Sequence, residues 1–369
     1  MTRPAQVVIN LAALQSNLKT VRRYAPDQKI MAIIKADAYG HGLERVAHHL
    51  PEADAFGVAC FEEAERLRKS GISQPITLLE GFFDEEELTQ LADLDIQTVI
   101  HQIPQLEMLE RLDVEKPIHV WIKIDTGMHR LGFEPGHVKR VYERLQNAKA
   151  VATDIRIVTH FASAQEHDRD SVEAQLVQFA GEIDQLVGER CLANSGAIME
   201  WPQTLGDWVR PGLMLYGVSP FADRTTQELG LTPVMSLESA VISVKSAKKG
   251  EKVGYGGTWA CPEDMNIGVV AMGYGDGYPR HAKSGTPMLI NGKTARLIGR
   301  PSMDMLTVDL RECENVQIGD KVVLWGKGLP VEEIARCAET IPYELLCGMR
   351  MRARFVEING EENCGSDSQ

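Results

Sequence analysis

Ile30-Met-Ala-Ile-Ile34-Lys35 is a short, unbroken apolar run that stops on a lysine. It reads as a strand over Lys29–Ile34 with Lys35 at its C-terminal end. Runs of the same texture recur at Ala55–Ala59, Ile76–Leu79, Gln97–Ile100, His119–Ile124 and Ile155–Thr159, with two weaker ones near Arg190–Ala193 and Trp208–Arg210. Segments of helical period lie between them. Leu11, Leu14, Leu18 and Val21 form one apolar stripe behind Asn10 as candidate cap, and Phe61–Ser70 stops at Gly71, as a helix C-terminus should. Strand–helix alternation over eight strands predicts an α/β fold, a (β/α)8 barrel spanning residues 1–220. An open doubly wound sheet is the rival, but no Gly-x-Gly-x-x-Gly turn follows the first strand.

After Ser219 helical stripes become scarce. Short alternating runs follow at Ser239–Val244, Ile267–Met272, Met288–Ile290, Ala295–Ile298, Leu306–Leu310 and Lys321–Leu324, separated by Gly, Pro, Asn and Asp. Asn291-Gly292 between two of them is a hairpin signal. A mainly β domain is therefore predicted over 221–360, interrupted by one short helix at Val331–Glu339. The polar tail 361–369 is expected to fray.

The 369 residues carry 39 Lys+Arg against 52 Asp+Glu, a formal net charge of −13. That balance argues against a general nucleic-acid binder, which needs a basic surface to neutralise phosphates. No stretch of about 18 uncharged apolar residues is present, so no membrane-spanning helix is expected. The first residues lack a signal-peptide pattern. Seven scattered cysteines without Cys-x-x-Cys point to reduced thiols and a cytoplasmic location.

In a barrel the C-terminal ends of the strands line the active face. Lys35, Asp125, His160, Asn194-Ser195 and Arg210 all fall at such ends. A lysine closing an apolar strand either snorkels to solvent or, partly desolvated, offers a neutral amine for imine formation.

Around that lysine the chain reads Ile34-Lys35-Ala36-Asp37-Ala38-Tyr39-Gly40-His41-Gly42 and closely resembles the alanine racemases. Further segments resemble the same family, in its order and across both predicted domains. They are Asp125-Thr-Gly-Met-His-Arg130-Leu-Gly, Thr159-His160-Phe-Ala, Ala193-Asn-Ser195-Gly, Val209-Arg210-Pro-Gly-Leu-Met-Leu-Tyr216-Gly, Val253-Gly-Tyr255-Gly-Gly-Thr, Gly273-Tyr274-Gly-Asp-Gly-Tyr-Pro-Arg280, Gly299-Arg300-Pro-Ser-Met303-Asp304 and Tyr343-Glu344. Ser302 stands where many members have Cys, and Gln165 replaces a frequent acidic residue.

The resemblance implies a fold of barrel plus β domain and dependence on pyridoxal phosphate. It implies interconversion of L- and D-alanine, supplying D-alanine for peptidoglycan. Lys35 would hold the cofactor as an imine and, once released, serve as base on one face of the substrate Cα. Tyr255 would be the base on the opposite face, because a proton that leaves one face must return on the other. An ordinary tyrosine titrates near pH ~10, so such a base needs help to ionise. Arg210 would face the pyridine nitrogen as a permanent donor, supported by His160. Tyr39, Ser195, the amides near Gly212 and Leu213, and Tyr343 would hold the phosphate. Arg130 and the Met303 backbone would take the substrate carboxylate. Lys123, carbamylated in many members, would orient Arg130. Tyr274, Arg280, Arg300 and Tyr343 would line a narrow passage for alanine, with Asp304 in support. The family's head-to-tail homodimers imply that the β domain of one copy completes the other's barrel. A barrel-type decarboxylase would bring a Gly-rich phosphate motif and a Cys-centred motif in the β domain, and neither is found. A broad-specificity racemase and a non-catalytic cofactor carrier compete with the alanine racemase reading. Tyr255 speaks against the carrier, which needs no second base.

Overall fold

The computed structural model describes residues 3–184, 186–349 and 351–360, so the tail 361–369 lies outside the described residues. The chain divides into two compact units. One comprises 17–215 with 219–225; the other comprises, among the described residues, 3–16, 216–218 and those from 226 to 360. The predicted boundary at residue 220 puts the start of the chain with the barrel. Instead β1 (Gln6–Asn10) pairs inside the second unit, where Val7 and Ile9 are fully buried. Helix α1 (Leu11–Tyr24) follows, its first turn capped by Asn10 Oδ1, which accepts from Ala13 N at 3.2 Å. Leu14 and Val21 on its apolar stripe are completely buried.

The barrel unit closes through eight parallel strands in chain order. They are β2 (Lys29–Ile33), β3 (Ala55–Val58), β4 (Ile76–Leu78), β5 (Ile96–Ile100), β6 (Val120–Lys123), β7 (Arg156–Val158), β8 (Arg190–Asn194) and β9 (Trp208–Arg210). β9 returns to β2 in register Lys29↔Trp208. Helices cover the outside and side chains fill the inside, so every position of β3 and β5 is buried. That double burial is why these strands read as continuous apolar runs and not as alternating ones. At the N-terminal end of the strands, Gln97 Oε1 accepts from Trp121 Nε1 and Arg156 Nη1, both at 3.0 Å. This polar plug leaves the opposite rim for chemistry.

The second unit is built on one sheet. Its strands are β10 (Met235–Ala247), β13 (Met265–Val270), β14 (Pro287–Ile290), β15 (Lys293–Leu297), β16 (Leu306–Asp309), β17 (Lys321–Trp325) and β18 (Arg354–Ile358), joined by β1. A separate small ribbon pairs β11 (Lys252–Val253) with β12 (Trp259–Ala260). The ladder runs β13-β16-β15-β14-β17-β10-β1-β18, and β13 also pairs with β10, so six strands return on themselves. Asn291-Gly292 makes the predicted hairpin, with φ of 49° and 79° and Ile290 opposite Lys293. The predicted helix forms over Val331–Cys337, and a second, Pro342–Cys347, follows it. Proline at its first position makes it start there.

Candidate active site

Lys35, Tyr39, Lys123, Arg130, His160, Ser195, Arg210, Gly212 and Leu213 all lie in the barrel unit, on the C-terminal side of its strands. Lys35 lies two residues past the end of β2, the rim there fixed by Ile34 N donating to Gly57 O at 3.0 Å. The chain then turns left-handed. Ala36, Asp37, Ala38 and Tyr39 have φ of 54°, 52°, 53° and 53°. For residues other than glycine this conformation costs roughly 1–2 kcal/mol each. The surroundings over-determine it. Ala38 N donates to Ile34 O at 2.8 Å, Gly42 N to Asp37 O at 2.9 Å, and Leu43 N to Asp37 Oδ1 at 3.1 Å. His41, wholly buried, sets Nδ1 at 3.0 and 2.9 Å from the Ala38 and Tyr39 carbonyls. Strain held this firmly is typical of ligand-binding backbone. Here it drives the Tyr39 ring inward, against Gly212, where a Cβ would stand 2.7 Å from the Tyr39 hydroxyl.

Gly212 follows β9 and shares a cradle with Ser195. Ser195 Oγ accepts from Gly212 N at 2.9 Å and Met214 N at 3.4 Å, which leaves its O–H able to donate. Leu213 lies between those two amides in the same buried turn. Arg210, at the end of β9 and only 6 % exposed, is fully oriented. Nη1 donates to Cys191 O at 2.7 Å and contacts Cys191 Sγ at 3.0 Å, while Nη2 donates to Thr159 O at 2.6 Å and lies 3.3 Å from His160 Nδ1. Among the described residues the Arg210 Nε–H has no protein acceptor. A permanent cation is thus locked in place with one donor to spare.

Lys123 ends β6, and the loop behind it carries Arg130. Phe133 N donates back to Lys123 O at 2.8 Å, and Asp125 Oδ1 accepts from the Gly127 and His129 amides, both at 3.0 Å. Burial, then the like charges of Arg210, Arg130 and Lys35, bring the Lys123 ammonium down to about 8. Burial followed by Arg210 and the same group of cations holds His160 well below its ordinary value, so its ring is neutral at physiological pH. Four cations therefore converge, with the Glu80 carboxylate as the counter-charge acting on Lys123. A site of this kind favours ligands bearing phosphate or carboxylate.

One buried residue here escapes a reading of the sequence. Gln175, 4 % exposed, donates to Thr126 Oγ1 at 3.0 Å and His160 O at 3.1 Å and accepts from Ala162 N at 3.0 Å. It ties the loops after β6 and β7 together. Its only signal is a polar residue on the inner side of a helix.

The remaining residues lie in the second unit. Tyr255, on the turn between β11 and β12, is 71 % exposed, and Met303 is 51 % exposed. Arg300 runs beside the Tyr255 turn, the Arg280 guanidinium stands 6.0 Å above the Tyr274 ring, and Asp304 follows Met303. Burial pushes the Tyr343 phenol up to about 12 although 39 % of the residue stays accessible, so it stays protonated.

A closed barrel with a lysine and further cations on the C-terminal side of its strands, continued by a strand-rich β unit, defines a two-domain protein of barrel plus β unit. Profile comparison is more specific: "Alanine racemase, N-terminal domain" matches residues 9–220 and "Alanine racemase, C-terminal domain" matches 234–357. The chain belongs to the alanine racemase family. It is 50 % identical over 356 residues to the biosynthetic alanine racemase of Escherichia coli K12, covering 96 % of this chain and 99 % of that one. The alanine racemase of Vibrio parahaemolyticus is 49 % identical over 353 residues, with the same coverage. The crystal structure of the biosynthetic alanine racemase from Pseudomonas aeruginosa superposes with a TM-score of 0.94 at 42 % identity, covering 97 % of this chain and 100 % of that one.

Proposed function

We propose that the chain racemises alanine in the cytoplasm, with Lys35 and Tyr255 as bases on opposite faces of the substrate Cα, and so supplies D-alanine for peptidoglycan. The observation that carries this reading is the convergence of Lys35, Lys123, Arg130 and Arg210 beside the Tyr39–Ser195–Gly212 cradle. That donor set suits pyridoxal phosphate. Lys35 would hold it covalently; Tyr39, Ser195, the Gly212–Leu213 turn and Tyr343 would hold its phosphate; and the spare Arg210 Nε–H, with His160 behind it, would meet its ring. Once bound, the cofactor supplies an electron sink that acidifies the proton on the amino acid's Cα.

Arg210 cannot give up its proton, so it offers a hydrogen bond without protonating what it faces. Arg130 and the Met303 amide orient the substrate carboxylate. With the carboxylate fixed, the Lys35 amine takes the Cα proton of the D-enantiomer while the protonated Tyr255 phenol delivers one to the opposite face; for the L-enantiomer an ionised Tyr255 takes the proton and the Lys35 ammonium delivers one. Tyr274, Arg280 and Arg300 narrow the approach to a side chain of methyl size, with Asp304 in support. The exposure of Tyr255 and Met303 is what a homodimer requires if each β unit completes its partner's barrel. The neutral fraction of Lys123 is competent to add carbon dioxide, forming an N–C bond and releasing a proton, and the resulting carbamate would pair with Arg130.

Borohydride treatment followed by peptide mass analysis should fix the cofactor on Lys35, and Tyr255→Phe should slow exchange of the L-alanine Cα proton by ~10²-fold or more relative to D-alanine. Label on any other lysine, or equal losses for both enantiomers, refutes the assignment.

A further inference from the structure

The turn bearing Met303 is held from below by residues at the two ends of the chain. Asp276, wholly buried, receives the Arg3 guanidinium in a fork, Nη2 donating at 2.7 Å, and the Arg352 Nε at 3.2 Å. Arg3 Nη2 also donates to Asp304 O at 2.8 Å, and Arg352 pairs with the Asp304 carboxylate. The same Asp276 accepts from Gly273 N at 2.9 Å, which fixes the Tyr274 turn.

The consequence is directional. Tyr274 N donates to Ser302 O at 3.0 Å and Gly275 N to Met303 O at 2.9 Å, while a side chain at Gly273 would collide with the Met303 carbonyl. Three successive carbonyls, of Ser302, Met303 and Asp304, are thereby occupied. In a trans peptide the C=O and the following N–H point opposite ways. With the Ser302 carbonyl turned into the Tyr274 amide, the Met303 N–H faces away from the turn. Ser302 itself is pinned by Oγ, which donates to Met305 O at 2.7 Å and accepts from Met305 N at 3.0 Å.

We infer that Arg3, Asp276 and Arg352 are positioning residues that aim the Met303 N–H at the carboxylate of an amino-acid substrate. The inference rests on the reading of Met303 as a carboxylate donor. Arg3 is suited to the task because only a planar fork reaches both a carboxylate and a neighbouring carbonyl.

The test compares the holoenzyme with Arg3→Gln, Arg3→Lys, Asp304→Asn and Arg130→Ala, measuring KM and kcat for both enantiomers, inhibition by propionate as a carboxylate without an amine, and the thermal midpoint. Arg3→Gln and Asp304→Asn should raise KM and the propionate Ki ~10-fold for a misplaced donor, alike for both enantiomers and with a smaller change in kcat. Arg3→Lys should recover part of the loss. Wild-type KM and Ki in folded Arg3→Gln, or a lowered midpoint with KM unchanged, would overturn the inference. Should Arg3→Gln not fold, Asp304→Asn decides by the same criteria, since its side chain is half exposed. Arg130→Ala separates the two levels. Wild-type KM there sinks the carboxylate reading itself, whereas a raised KM there with wild-type Arg3→Gln sinks the positioning role alone.

Discussion

Lys123 shows how one side chain acquires unusual chemistry from its neighbours. Its ordinary value of 10.5 falls to about 8 because burial removes water from the ammonium while Arg210, Arg130 and Lys35 repel it. Between pH 8 and 10.5 the unfolded chain therefore binds a proton that the folded chain has released. Stability contributed by this group rises with pH across that window and is lost as pH falls through it. Lys123→Met should remove a rise of roughly 2 kcal/mol, a figure discounted for partial exposure. Urea unfolding of both proteins at about pH 7.5 and about pH 10, in buffer free of carbon dioxide, checks this; parallel curves would exclude a depressed lysine. Lys35, Tyr39 and Arg210 are legible in sequence as polar residues closing apolar strands or sitting in the motif that follows one. Gln175 and Asp276 are not, since nothing local marks a polar residue whose partners are distant in sequence.

The left-handed turn after β2 is the element on which the proposed site depends. The sequence shows that a strand ends at Lys35, but Ala-Asp-Ala-Tyr has no local preference for positive φ; hydrogen bonds within residues 34–43, with Asp37 N donating to Glu63 Oε1 at 3.2 Å, hold it. Substitution at exposed Ala36 reads this out directly. Ala36→Gly should leave stability within about 1 kcal/mol of wild type or raise it, because glycine adopts φ near +54° without a steric penalty. Ala36→Val should cost more than about 1 kcal/mol, since a β-branched side chain clashes there. Chemical denaturation midpoints measure both, and a valine variant as stable as wild type would contradict the turn. The barrel strands are readable because burial on both faces makes them continuously apolar. β1 is not, because its partners, β10 and β18, lie more than two hundred residues away.

At the scale of the whole molecule, the two sets of residues belong to different units, and the proposed chemistry joins them across a dimer. Lys35→Ala and Tyr255→Phe each disable one set. Mixed dimers assembled from the two inactive variants should contain one intact site, recovering activity toward about one quarter of the wild-type value under random pairing. Activity assays after co-refolding, with mixed dimers confirmed by mass, decide the matter. No recovery would place both bases within one copy. Among the described residues no helix is long and apolar enough to cross a membrane, and six cysteines form no disulfide.

Hydrophobic period, turn residues and the motif from Ile34 to Gly42 are enough to establish barrel, β unit and family, because burial and backbone preference act over a few residues and leave a local record. The direction of each functional group comes only with the tertiary structure. Arg210 is aimed by the carbonyls of Thr159, Cys191 and Leu192, the turn before Tyr39 is tied to Glu63 through the Asp37 amide, and, on the inference above, the Met303 amide is aimed by guanidiniums from both ends of the chain. Hydrogen bonds of that kind depend on positions in space, which distance along the sequence does not encode.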